Sequence, residues 1–303
     1  MKDRFSLYFY VNLTCLVLAL FSISPLSQRG FSQVNSDRQD KIQLDVPYEP
    51  SSEEVVRAML EIAIVGKNDF VYDLGCGDGR IVIAAAQKAG ARGVGVDLDP
   101  QRIRESEENA LKAKVTDRVR FFQQDLFQTK IDKATVIMLY LWPEVNLKLR
   151  PKLCQELRPG TRVVSHSHNM GSWEPDQDMT TSDGHRVYMW VIPANVTGTW
   201  EWDMPGEEER YLLKLGQQFQ KVSGTFQLGS DQLPVKNMEL RGDRLEFVVE
   251  RFFRGQMQTF RFMGRVQDNL IGGTTRVMTG GSPKERPWVA KRIPSSMTFW
   301  NCE

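Results

Sequence analysis

The chain has 303 residues, with 39 Lys and Arg against 38 Asp and Glu, so its formal charge is +1. That balance argues against the basic face expected of a nucleic-acid reader, and no nucleic-acid partner is expected. The length leaves room for more than one hydrophobic core.

The first element is an uncharged run over 5–26, preceded by Lys2 and Arg4, with its apolar heart at Leu13 to Phe21. It predicts a secretory signal or a single membrane anchor. Gly30-Phe31-Ser32 offers small residues for cleavage before Gln33, so 1–32 are assigned to the signal or anchor and 33–44 to a linker. Cys15 lacks the Leu-x-small pattern of a lipid anchor. The protein is therefore expected to be exported or membrane-anchored. The side is left open, because Lys2 and Arg4 face Arg29, Arg38 and Lys41 across the run. Cleavage would leave Cys76, Cys154 and Cys302, an odd number and no disulfide framework.

The stretch 45–196 reads as one α/β domain. Ser51-Ser52-Glu53-Glu54 predicts a capping box with Ser51 at the N-cap, followed by a helical stripe of Val55, Val56, Met59, Leu60 and Ala63. Val71 to Leu74 is a strand that runs into Gly75-Cys76-Gly77-Asp78-Gly79-Arg80. Glycines here allow positive φ and close approach of the backbone to a ligand. A dinucleotide fingerprint would need a glycine where Arg80 stands, and a phosphate-cradling loop would need Gly-Lys-Ser/Thr, which does not follow.

A helix is predicted over Ile81 to Ala89, and then a second strand, Val94 to Asp97, 20 residues after Gly77 at its acid. In open α/β sheets an acid there bonds ribose hydroxyls. Gln101 to Lys114 is a polar helix with Ile103, Ala110 and Leu111 on its buried side. Val119 to Phe127 is a third strand, ending at Asp125. Ala134 to Leu141, Thr161 to His166 and His185 to Ile192 are further strands. Strands alternating with helices predict a doubly wound, Rossmann-like parallel sheet. His166 and His168, two apart on a strand, would face the same way, with His185 the remaining histidine. No cysteine or carboxylate cluster accompanies them, and no metal is expected.

These motifs resemble the S-adenosylmethionine (SAM) signature of class I methyltransferases. The resemblance implies SAM as cofactor. Asp73 would accept from the methionine ammonium, Gly75, Gly77 and Gly79 would form the close turn, and Asp97 would take the ribose. Asp125 would take the adenine amino group beside Leu126, and Tyr48 would lie on a loop over the cofactor. After the fourth strand, Leu139 to Asn146 lacks the Asn/Asp-Pro-Pro-aromatic motif of enzymes that methylate DNA base amines. Pro143-Glu144-Val145-Asn146, Leu149, Lys152-Leu153 and Leu157 to Ser165 are instead similar to the non-SET histone-core lysine methyltransferase. With Val46 to Pro50 and Arg162 to His166, they are closer to the small archaeal protein-lysine methyltransferases and their mitochondrial relatives. The resemblance covers about 45–195. It departs at Ile137 and Met138, where the histone enzyme has asparagines.

The implied reaction is direct in-line transfer of methyl to a neutral lysine amine of a protein substrate. Tyr140 and Trp142 are the candidate catalytic wall: a dry aromatic channel depresses a lysine pKa, and ring faces favour the ammonium that forms. Two alternatives stand beside this reading. One is a small-molecule or lipid methyltransferase. The other is a non-catalytic SAM-binding envelope protein whose β domain binds a partner.

From about Gly198 the helix signals stop, and 197–303 reads as a β-rich accessory domain. Short strands such as Tyr211 to Leu215, Leu245 to Val249 and Thr259 to Met263 are joined by tight turns at Gly242-Asp243 and Asp268-Asn269. The spacing predicts an antiparallel barrel or sandwich, superficially calycin-like. Trp200, Trp202 and Trp288 are expected in its core, and no catalytic constellation is visible in this half.

Overall fold

A computed structural model of the chain describes residues 48–279 and 281–298. The predicted signal or anchor, its cleavage point and Val46-Pro47 lie outside the described residues. Among those described, no helix is long and apolar enough to cross a membrane.

The first half opens with α1 (Glu53–Ile62), β1 (Phe70–Leu74), α2 (Arg80–Ala89), β2 (Arg92–Asp97), α3 (Pro100–Ala113) and β3 (Val119–Gln123). It continues with β4 (Val136–Leu139), α4 (Pro143–Glu156), β5 (Arg162–His166), β6 (Gln177–Thr180) and β7 (Arg186–Val191). The sheet order is β3-β2-β1-β4-β5-β7-β6. The first five strands are parallel, and β7 and β6 close one side as an antiparallel pair. The order reverses at β1, so the carboxyl ends of β1 and β4 flank the crevice where open α/β sheets bind ligands.

Each face of the sheet has its own core. Val55 and Met59 of α1 and its C-cap Ala63 pack with Ile81 of α2 against Val71, Met138 and Val164. On the other face Val145, Leu149 and Leu153 of α4 pack with Trp173 and Trp190 against Leu74, Ile137 and Val163.

Local details differ from expectation. The N-cap of α1 is Ser52, not Ser51: its Oγ accepts from the Val55 amide at 3.2 Å. Glu54 turns away from its own helix and accepts from the Ser182 amide at 2.7 Å. Leu111 is 69% exposed, because the buried line of α3 runs through Ile103, Ser106 and Ala110. The fourth strand stops at Leu139, which leaves Tyr140 and Leu141 outside the ladder. Cys154 is disulfide-bonded, where no framework was expected, while Cys76 is a buried free thiol.

The second half is an eight-stranded antiparallel barrel: β8 (Gly198–Asp203), β9 (Arg210–Gln218), β10 (Lys221–Leu228), β11 (Asp231–Arg241), β12 (Arg244–Phe253), β13 (Gln256–Gln267), β14 (Leu270–Met278) and β15 (Lys284–Arg292). Neighbours in sequence pair in turn, and β15 closes on β8 through Lys291 opposite Glu201 and Arg292 opposite Trp200. Alternate residues point inward. Those from Trp200, Trp202, Tyr211, Phe226, Phe247, Phe262 and Trp288 fill the middle of the axis, and a cleft lined by Tyr211, Leu228, Arg251 and Phe260 opens at one end. The Arg292 guanidinium lies 4.3 Å over Trp200 and donates to the Thr197 and Asp268 carbonyls.

The barrel is joined to the first sheet by its β9–β10 hairpin. Phe219 is buried and stacks on Trp173 with ring centres 5.3 Å apart and planes 7° apart. Trp173 Nε1 donates to Gln220 Oε1 at 2.9 Å. At the β11–β12 turn, the Ala194 amide donates to the Gly242 carbonyl at 2.8 Å.

Candidate functional site

The candidate site is a cleft at the carboxyl ends of β1, β2 and β4, roofed by the segment leading into α1. Its walls include Asp73, Gly75, Gly77, Asp97, Leu126 and Tyr140, with Tyr48 at the rim. These residues come from four separate strand ends, and the sheet register brings them together.

The turn after β1 is shaped by what surrounds it. The Gly75 and Cys76 amides both donate to the Val96 carbonyl, at 2.8 and 2.9 Å, which folds the turn back onto β2. Gly77 has φ +52, and a Cβ there would stand 2.6 Å from the Tyr48 ring. Its amide donates to Asp97 Oδ2 at 2.9 Å, and Asp97 Oδ1 accepts from the Asp99 amide at 2.9 Å. Gly79 serves differently. At φ +79 it precedes α2, and a Cβ would meet Phe121 and Ser106 at 2.8 Å, so it packs helix against sheet and is not in the cleft wall.

Asp73 is 2% exposed, and its Oδ2 has no hydrogen-bond partner. Burial, then the charges of Asp97 and Asp78, push its carboxyl well above the usual carboxylate range. A buried acceptor left open toward a cleft calls for a cationic donor. That requirement fits the ammonium end of SAM, and the Gly77 turn provides the close backbone approach. The residues present therefore fit the cofactor.

Tyr48 is held by neighbours that sequence reading missed. The Arg102 guanidinium lies 4.3 Å from its ring centre. Arg80 pairs with Asp78 at 2.7 Å and donates from Nη1 to the Ser51 carbonyl at 2.8 Å, which ties the roof segment to the turn. The signal for Arg80 was its place at the end of the glycine turn. Nothing local marked Arg102, on α3.

Two of the expected residues do not line the cleft. Asp125 is not among the lining residues: its carboxylate accepts from the Phe127 amide at 2.8 Å and from Gln128 Nε2 at 3.1 Å, so it caps its own turn. Its neighbour Leu126 supplies the wall. Trp142 stands at the N-cap of α4, half exposed and outside the cleft lining, while Tyr140 faces inward with Leu141 and Val145.

Behind Tyr140 lie all three histidines of the chain. The Tyr140 ring is 3.9 Å from that of His166 and 6.4 Å from that of His168. His166 is 2% exposed. Its Nδ1 shares a hydrogen bond with Ser51 Oγ at 3.0 Å, and its Nε2 one with His185 Nδ1 at 3.2 Å. Burial, and then His185 and His168, lower its pKa to about 4. His166 and His168 do not share a strand face as expected. Ser167 takes φ +62, and the His168 amide donates back to the His166 carbonyl at 2.7 Å. Positive φ at a non-glycine residue is uncommon and gathers at functional sites. Among the described residues no group of three or more His, Cys, Asp or Glu is arranged to hold a metal.

The sequence was compared with known proteins. A family profile described as the ANTKMT methyltransferase domain matches residues 73–177, ending before the barrel. A protein-lysine N-methyltransferase of Saccharolobus islandicus is 48% identical over 151 residues, covering 48% of this chain and 94% of that protein. The adenine nucleotide translocase lysine N-methyltransferase of Mus musculus is 32% identical over 159 residues, 52% of this chain and 66% of that protein. Among solved structures, an RNA methyltransferase from Salinibacter ruber in complex with S-adenosyl-L-homocysteine is 48% identical. It covers 52% of this chain and 98% of its own, with a TM-score of 0.47.

Proposed function

The chain belongs to the SAM-dependent protein-lysine N-methyltransferase family, and from that premise we propose that it methylates lysine Nζ in a protein substrate by direct in-line transfer. Family membership supplies the acceptor class. The observation that carries the chemistry is the unpartnered, buried Oδ2 of Asp73 in the same cleft as Tyr140.

When bound, SAM supplies an electrophilic methyl group on a sulfonium. Asp73 would hold the methionine ammonium, Asp97 the ribose hydroxyls and Leu126 the adenine face, with Tyr48 and Arg102 closing over the outside. Tyr140 would wall the acceptor channel. Burial there excludes water and favours the neutral amine, which is the nucleophile. Glu49 sits at the rim beside the Tyr140 hydroxyl, whose pKa is raised by burial and by that carboxylate. The exposed Trp142 would meet the substrate outside the cleft.

The test is transfer of radiolabelled methyl from SAM into soluble and membrane extracts, with Asp97→Ala as control. The expected result is acid-stable ε-N-methyl-lysine in discrete protein bands, absent with the variant. Label in RNA, lipid or small molecules instead would overturn the lysine assignment.

The uncharged run over 5–26 supports a second part of the proposal, that the protein is exported or membrane-anchored. Fractionation of cells that express the full chain tests it, and recovery wholly in the cytosol would overturn it.

A further inference from the structure

The reaction proposed above leaves one requirement open. Lysine enters as an ammonium at neutral pH, and a proton must leave before its nitrogen can attack. A buried cleft that favours the neutral amine also hinders the departure of that proton into water.

The structure holds a continuous route for it. Ser51 and Tyr140 line the same cleft. Ser51 is 3% exposed, and its hydroxyl is bonded to His166 Nδ1. His166 passes through the wall and bonds His185 Nδ1 with its other ring nitrogen, and His185 lies at the surface. Three side chains from the roof segment, the end of β5 and the β6–β7 loop thus link cleft and solvent. Their rings are fixed: Tyr140 lies against one face of His166, and His185 meets its edge at 73° with ring centres 4.9 Å apart.

From this geometry we infer that Ser51, His166 and His185 form a proton-exit chain that carries the acceptor lysine's proton from the cleft to solvent. The inference rests on the lysine reading above. The step is balanced. An N–H bond of the lysine ammonium breaks as its proton moves to Ser51 Oγ. The former hydroxyl proton moves to His166 Nδ1, the proton on His166 Nε2 moves to His185 Nδ1, and the proton on His185 Nε2 passes to water. One proton leaves the amine and one reaches solvent; tautomer exchange restores the chain between turnovers.

The surroundings suit a conductor more than a store of charge. The charged and titratable groups facing His166 are His185 and Asp183 from the β6–β7 loop, His168 from the turn after β5 and Tyr140 from the segment after β4. Glu49 adds its charge beyond the Tyr140 hydroxyl, and Arg80 holds the Ser51 carbonyl. His168 and His185 oppose an imidazolium at His166, and so does burial; Asp183 alone favours one. His166 therefore stays neutral, as a relay requires. Asp183, bonded by Ser52 Oγ at 2.8 Å, places a carboxylate at the solvent end.

The experiment is single-turnover methyl transfer by full-length protein between pH 6 and 9, read as ε-N-methyl-lysine in extract protein. Unaltered protein is compared with His185→Ala and His166→Gln. His185 is exposed, so His185→Ala keeps the test valid if His166→Gln fails to fold. Removal of an acid–base group lowers rates by about 100-fold or more. The expected result for His185→Ala is a loss of about that size at pH 7 that shrinks toward pH 9 and is reversed by added imidazole, with SAM affinity unchanged. A pH profile that matches the unaltered protein, or a loss that imidazole does not reverse, would overturn the chain while leaving lysine methylation intact. Absence of methyl-lysine with the unaltered protein would overturn both.

Discussion

The ring of Tyr48 fills the space where a side chain on Gly77 would begin, 2.6 Å from the Cβ position. The residue that roofs the cleft and the residue that lets the backbone into it are therefore one fitted pair. Gly77→Ala would combine a strained φ of +52 with displacement of the roof. The expected outcome is SAM affinity about 5- to 30-fold weaker by calorimetry, for a penalty of about 1–2 kcal/mol. Unchanged affinity would show that Tyr48 does not cover the cofactor.

Asp73 should exchange stability for binding. Its carboxyl is raised, so above pH 3.8 the folded state holds more proton than the unfolded chain, and stability falls as pH rises through its folded pKa. Asp73→Asn removes that loss. It should stabilise the ligand-free protein at pH 7 by about 1–3 kcal/mol while abolishing measurable SAM binding. Denaturant titrations at pH 5 and pH 8 check the sign: the gain should be larger at pH 8.

His166 titrates in the opposite sense. Its pKa is lowered from 6.5 to about 4, so the folded state binds less proton than the unfolded chain between those values. Stability is therefore full above pH 6.5 and falls as pH drops toward 4. With three histidines in the chain, imidazole resonances can be followed individually by NMR. One midpoint near 4 is expected, and three midpoints near 6.5 would contradict the buried placement.

Phe219 should matter out of proportion to its place in a hairpin. Removal of a fully packed phenylalanine costs about 3–5 kcal/mol, and here it also uncovers Trp173. Phe219→Ala should lower the unfolding free energy by about that amount and shift tryptophan emission to the red. A change below about 1 kcal/mol would mean that the two halves are joined elsewhere.

What was legible in the sequence was local. Asp73, Gly75, Gly77 and Asp97 sit within strand-turn-helix units whose backbone demands show in the residues themselves. The third strand was expected to run to Phe127, but β3 stops at Gln123, two residues before Asp125, and spacing says nothing about where that carboxylate points. Its own turn offered the Phe127 amide two residues on, the ordinary behaviour of aspartate in turns. Ser51 was misread by one position: Ser52 took the cap, and that freed Ser51 to reach His166, 115 residues away. The two-residue period failed at His168 because Ser167 reverses the chain. In the barrel the Gly242 and Asp268 turns were visible as hairpins, but closure depends on β15 meeting β8 across some ninety residues, and no local pattern encodes it.

That closure also restricts how a target protein can be gripped. Extended peptides often bind by adding a strand to an open sheet edge, and a closed barrel has no edge to offer. Among the described residues, main-chain pairing with a substrate is confined to β3 and β6, the outer strands of the first sheet. The larger half of the β structure can read a partner only through side chains on its outer wall, where Lys236–Glu250, Arg261–Glu246, Arg265–Asp243 and Arg276–Glu285 stand as paired charges. Such recognition would follow charge pattern more than backbone shape, and it would weaken with added salt.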